Sequence, residues 1–155
     1  MNEDQFLALF RDCESAFKLE YQTEPVPGEL DLFRAWQDGN PPQPRDWKPW
    51  QDWLDHCRHL GGKIIRVRLI DDPPTPYQEF LKCAVPYHRE AGDDIRYMPR
   101  DLAVILDIAP ANWWLFDSDR LVTMNMDATG MALVTDPGTV KEHCAWRDLA
   151  LSRAN

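Results

Sequence analysis

Residues 46–70 read DWKPWQDWLDHCRHLGGKIIRVRLI, and their periodicity changes at the two glycines. Trp47, Trp50, Leu54, Cys57 and Leu60 recur close to a 3.6-residue spacing, which predicts a helix with one buried face. Pro49 fits such a helix only within its first turn. Gly61-Gly62 ends it, and Lys63–Ile70 then alternates. Ile65, Val67 and Leu69 point one way; Ile64, Arg66, Arg68 and Ile70 point the other. A strand apolar on one face and mixed on the other belongs to a sheet covered by helices on at least one side. The expected fold class is α/β (or α+β): a mixed β-sheet with helices packed on it.

Upstream, Phe6, Phe10, Cys13 and Phe17 predict a helix over residues 2–17, with Asn2 and Gln5 as a capping box. Residues 17–22 alternate as a strand with Lys18, Glu20 and Gln22 on a wet face. A short helix over 29–38, closed by Gly39, leads to the Pro-rich loop 39–44. Downstream, Thr75-Pro76-Tyr77-Gln78 is a helix start, and Pro86 is read as that helix's stop. Gly92 precedes a strand at 94–98, so a parallel strand–helix–strand crossover is expected. A helical turn at 101–107 leads into a meander with strands at 112–116, 120–126 and 131–135 and turns at 117–119 and 127–130. Asp136 and Pro137 open a C-terminal helix with Val140, Cys144, Trp146 and Leu151 inside.

The 155 residues suit one domain spanning 1–155. A net charge of -9 opposes direct binding to a nucleic-acid backbone and favours basic partners. Cys13, Cys57, Cys83 and Cys144 show no C-x-x-C spacing and read as free thiols in a reducing compartment. The acidic N-terminus is unlike a signal peptide, and no apolar run approaches the ~20 residues of a membrane span, so the expectation is a cytoplasmic protein without membrane contact.

Arg66 and Arg68 share a strand face, where guanidinium groups call for a carboxylate or phosphate partner. They form either an anion site or ion pairs with acids such as Asp94, Glu79 or Asp117. Asp71, Asp72, Asp93, Asp94, Asp117 and Asp119 fall at strand ends, and turn chemistry is the simpler account of them. His56 and His59 lack the further ligands a zinc site needs, which leaves a solvated helix face. No nucleophile elbow or phosphate loop is present, and no catalytic residue, metal or cofactor is called for. Trp114 belongs to an aromatic run, Trp113–Phe116, that reads mainly as core.

The runs Ser15–Glu20, Arg66–Ile70 with Pro76-Tyr77, Ala91–Tyr97, Trp114–Asp117 and Asp127–Gly130 resemble an actinobacterial family of small uncharacterised proteins. Its genes lie beside Xre-type helix-turn-helix regulators. The resemblance covers nearly the whole chain. Family members more often carry Glu where Asp93 stands, and an acid plus Phe where Asn112 and Trp113 stand. A fainter similarity links the same order of motifs to phospholipase D-like sensor modules that lack the catalytic His and Lys. The resemblance implies a non-enzymatic regulatory or interaction protein, a partner of a helix-turn-helix regulator or a binder of a small anionic ligand. Candidate binding residues are Arg66, Arg68, Tyr77, Arg96, Trp114 and Asp117. The alternative is a small hydrolase or lyase with an Arg66/Arg68 anion clamp and Asp117, Tyr77 or His88 as acid–base group.

Overall fold

A computed structural model describes every residue except Ala128, so the second meander turn, 127–130, lies partly outside the described residues. Six strands form one sheet in the order β3-β2-β1-β4-β5-β6. β1 (Ser15–Glu20), β2 (Lys63–Ile70) and β3 (Asp94–Pro99) run parallel; β4 (Asn112–Phe116), β5 (Arg120–Met124) and β6 (Met131–Val134) continue the sheet as an antiparallel meander. The mixed sheet, the β2 boundaries and the parallel β2–β3 crossover all match the expectation.

Helices lie on both sheet faces. On one, α6 (Arg100–Ile105) and α7 (Pro137–Arg153) cover Phe17, Leu19, Val67, Leu69, Trp113 and Leu115. The Asp136 carboxylate caps α7, accepting from the Thr139 amide at 2.8 Å. On the other face, α1 (Glu3–Arg11) and α3 (Pro44–Leu60) pack Phe6, Phe10, Leu54 and Cys57 against Ala16, Ile64, Trp114 and Phe116. A third cluster joins Phe33 of α2 (Leu30–Gln37) and Trp47 of α3 to Tyr77, Phe80 and Leu81 of α4 (Pro76–Lys82).

The glycine pair has a steric reason. A Cβ on Gly61 would run into the Phe10 carbonyl, and one on Gly62 into the backbone of Glu14. Entry into β2 is thereby pressed against the exit from α1, where the Lys63 amide donates to the Glu14 carbonyl at 3.0 Å.

Four local expectations need correction. The first helix ends at Arg11, and Phe17 lies in β1 facing the α6/α7 layer. The Asp117 carboxylate accepts from the Glu14 and Ser15 amides at 2.9 and 3.0 Å, donors that a continuing helix would have used internally. Helix α3 starts at Pro44, so Pro49 sits inside it, beyond the first turn, and offers no amide to the carbonyl four residues earlier. Pro86 opens a further helix, α5 (Val85–Glu90), because the first turn of a helix does not require that amide. Finally, Lys18 and Glu20 are not on a wet face: both are buried, since the adjoining strand supplies their counter-charges.

Candidate functional site

Parallel register places Lys18 beside Arg66 and Glu20 beside Arg68. Side chains on paired residues share a face, so a Lys-x-Glu on β1 meets an Arg-x-Arg on β2. Across the other edge of β1, Lys18 pairs with Trp114 of β4. Trp47 and Trp50 of α3 come down over this patch, while α4, α5 and the segment around Val26 and Glu29 close its sides. The result is a cleft of about 280 Å³ lined by these residues with Leu81, Ala84, His88 and Met124.

The ion pairs inside it converge on one carboxylate. Glu20 Oε1 lies 3.2 Å from Lys18 Nζ and 3.4 Å from Arg66 Nη1, and Oε2 lies 3.0 Å from Arg68 Nη2. Burial by itself would raise the Glu20 carboxyl, but Arg66, Lys18 and Arg68 together outweigh it and hold Glu20 well below the usual carboxylate range. Burial lowers the Lys18 ammonium. Burial also acts to lower Arg68, yet Glu20 more than compensates, and the guanidinium stays charged. Behind Arg66, Asp93 Oδ2 stands 3.4 Å from Nη2, and burial raises that carboxyl against the pull of Arg66. His88 is pushed down to about 4 by burial and then by Arg66, so its ring is neutral near pH 7.

Several buried polar atoms have no hydrogen-bond partner in the protein: Arg66 Nε, Arg68 Nη1, Trp47 Nε1 and His88 Nδ1, while Arg66 Nη2 has only its ion pair with Asp93. The Arg66 side chain is only 2% exposed and the Arg68 side chain 10%. Buried donors left unpaired carry a desolvation cost of about 1–3 kcal/mol each. Indole faces offset part of the burial of charge, with Lys18 Nζ 5.3 Å from the Trp50 and Trp114 ring centres and the Arg66 guanidinium 5.1 Å from Trp50.

Of the residues singled out from the sequence, Arg66, Arg68 and Trp114 come together here, and His88 joins them on the cleft wall. Tyr77 stands behind the wall: its hydroxyl donates to Glu29, and burial, then Glu29, raises the phenol. Arg96 pairs in register with Val67, which places it on the opposite face, where it holds Asp94 at 2.9 Å. Asp117 sits where β1 begins, fixed by two amides and by Arg120, roughly 16 Å of strand from Glu20. The acids that pair with Arg66 and Arg68 are Glu20 and Asp93; Asp94, Glu79 and Asp117 pair elsewhere. His59 turns its Nδ1 to the Asp55 carbonyl, and among the described residues no group of three or more metal-ligating side chains occurs. Sequence reasoning passed over Lys18, Glu20, Trp47, Trp50 and Asp93 as site residues. The usable signal was the complementary spacing of Lys18-x-Glu20 and Arg66-x-Arg68.

Fold and cleft define a mixed-sheet α/β protein with a charged cavity enclosed between the sheet and its helical cover. The chain belongs to the family described as domain of unknown function DUF6879, which matches residues 4–155. No curated protein matches the chain, and no solved structure matches it. No helix among the described residues is long and apolar enough to cross a membrane.

Proposed function

We propose that this protein is a non-enzymatic binding module whose cleft receives a small anionic ligand. One observation carries the reading: Arg66 and Arg68 line a tryptophan-walled cleft, and Arg66 Nε and Arg68 Nη1 are buried beside it without a hydrogen-bond partner. Natural proteins accept that desolvation cost mainly where a bound group completes the hydrogen bonds. A cleft of this kind, apolar with a few convergent polar groups, is the usual form of a small-molecule site.

The acid–base alternative keeps only His88 near the arginines: Tyr77 is bonded to Glu29 behind the wall, and Asp117 is engaged at the other end of β1. The family resemblance supports an actinobacterial regulatory component working with a helix-turn-helix protein, and the four free cysteines suit a cytoplasmic setting. The phospholipase D-like likeness supports a sensor that has no turnover. The acidic balance suits a basic protein partner.

The direct test is thermal denaturation with a panel of small carboxylates, phosphates and sulfates on the wild-type protein and on Arg68→Met. A member of the panel is expected to raise the wild-type melting temperature, and the rise is expected to disappear in the variant. An unchanged melting temperature across the panel would count against the reading. For the regulatory reading, co-expression with an Xre-type helix-turn-helix regulator from the same genome is expected to yield a complex in gel filtration, and separate elution of the two would refute it.

A further inference from the structure

The two edges of the sheet are finished differently. On β3, Tyr97 exchanges both backbone hydrogen bonds with Asn155, at 2.7 and 3.1 Å. Arg89 donates to the Ile95 carbonyl at 3.0 Å, and Pro99 has no amide to offer. On β6 nothing comparable occurs among the described residues. The Asn125 amide donates to the Gly130 carbonyl, which sets the alternation of the ladder. Ala132 and Val134 therefore bond to Thr123 and Leu121 of β5, while Met131 and Leu133 turn their amides and carbonyls outward. The Met131 carbonyl has only the Met1 amino group, 3.5 Å away. The Leu133 side chain shares a face with Val122 of the α1/α3 cluster, yet it is 45% exposed.

An open edge accepts another strand unless charge, proline or a bulge blunts it. Met131–Val134 carries neither charge nor proline. A second copy of this chain fits the edge because the outward groups are self-complementary. An antiparallel two-fold about Leu133 sets Leu133 against the second copy's Leu133, and Met131 against the second copy's Thr135, so each outward amide meets a carbonyl. The two Leu133 side chains then lie side by side and prolong the apolar cluster of Phe6, Phe10 and Val122. Each chain carries a net charge of -9, but the strands that meet are uncharged and bring no like charges directly together. The closed β3 edge excludes head-to-tail pairing, so the assembly stops at two copies. We infer that β6 is the interface of a closed homodimer in which one sheet runs through both copies. This surface owes nothing to the anion-binding reading of the cleft.

A strand of 4 residues makes a small interface, so the association is of the transient class. Sedimentation velocity on the full chain is expected to show monomer at about 1 μM and dimer at about 1 mM. Both copies are acidic, so association is expected to strengthen as salt rises from about 0.01 M to about 1 M and the screening length shortens from about 30 Å to about 3 Å. Leu133→Lys sets like charges face to face and is expected to weaken association at least about tenfold. Leu133→Pro removes an amide that β5 does not use and is expected to act in the same direction. Where that variant does not fold, amide exchange on the wild type serves: Leu133 and Thr135 are expected to slow as concentration rises, with Ala132 and Val134 unchanged. Ile105→Lys, at an exposed apolar side chain on α6, is expected to leave association unaltered. A chain still monomeric at about 1 mM would overturn the pairing. Species larger than a dimer, or a dimer indifferent to Leu133→Lys, would overturn it as well, and a dimer lost in Ile105→Lys would move the interface to α6.

Discussion

The two faces of β1 and β2 are built from alternate residues of the same strands, and they do opposite things. Toward α6 and α7, Phe17, Leu19, Val67 and Leu69 form a layer of buried apolar side chains. Toward α3 and α4, Lys18, Glu20, Arg66 and Arg68 form a cluster whose hydrogen bonds are incomplete. A sheet needs one closed face to hold its register. With that face secured, the other is free to carry groups that a stability-driven core would exclude. Binding sites commonly sit on such less stable surroundings.

The comparison can be broken by substitution, and the largest effect is expected at its electrostatic pivot. Glu20→Ala leaves three buried cations without their shared carboxylate and is expected to cost about 3–5 kcal/mol in denaturant unfolding. On the apolar face, Leu19→Ala is expected to cost about 3 kcal/mol, since a fully buried leucine leaves both a transfer loss and a cavity. Arg68→Met is expected to change stability by no more than about 1 kcal/mol, because Lys18 and Arg66 still neutralise Glu20. A loss from Arg68→Met equal to that from Glu20→Ala would mean that the charges exist to hold the fold.

Acid sharpens the contrast between the faces. The ring of His88, held at about 4, stays unprotonated in the folded chain while the unfolded chain takes up a proton near 6.5. The unfolded state therefore binds more protons between those values, and stability falls as pH drops through that window, by at most roughly 3 kcal/mol. Glu20, depressed in the folded state, adds a loss in the same direction at lower pH, beginning below its unfolded value of about 4.3. Asp93, raised in the folded state, contributes stability that is present in acid and lost as pH rises through its own value, so it offsets part of the trend. His88→Gln is expected to flatten the stability profile between pH 6.5 and 4, measured by denaturant midpoints. A slope unchanged by that substitution would place the acid sensitivity elsewhere. A similarly small effect is expected away from the cleft: Asp136→Ala removes the α7 cap and is expected to cost about 1 kcal/mol.

The legible parts of the fold were those whose cause lies nearby in the chain. Alternation alone specified β2 from Lys63 to Ile70, and the capping chemistry of Thr75 and Asp136 marked the starts of α4 and α7. Phe17 misled because its spacing continues the α1 stripe, while the residues that end the helix, Lys63 and Asp117, are distant in sequence. The candidate site was half legible for the same reason. Arg66 and Arg68 stand out in any apolar strand, but Lys18 and Glu20 look like an ordinary solvated face until the parallel register of β1 on β2 is known. Trp47 and Trp50 follow core spacing, and only the tertiary placement of α3 turns them toward charge.

The glycine pair at Gly61 and Gly62 also bears on how the chain reaches this state. Because both sit hard against the backbone of Phe10 and Glu14, β2 cannot slide past β1 to an alternative pairing, and Ser15 must find Lys63 across the whole intervening crossover. Such a long closure is slow relative to local helix formation. The floor of the cleft is therefore complete only once β1 and β2 are paired, and an alanine at position 62, whose Cβ would meet the Glu14 backbone, would be felt as lost stability of the folded state.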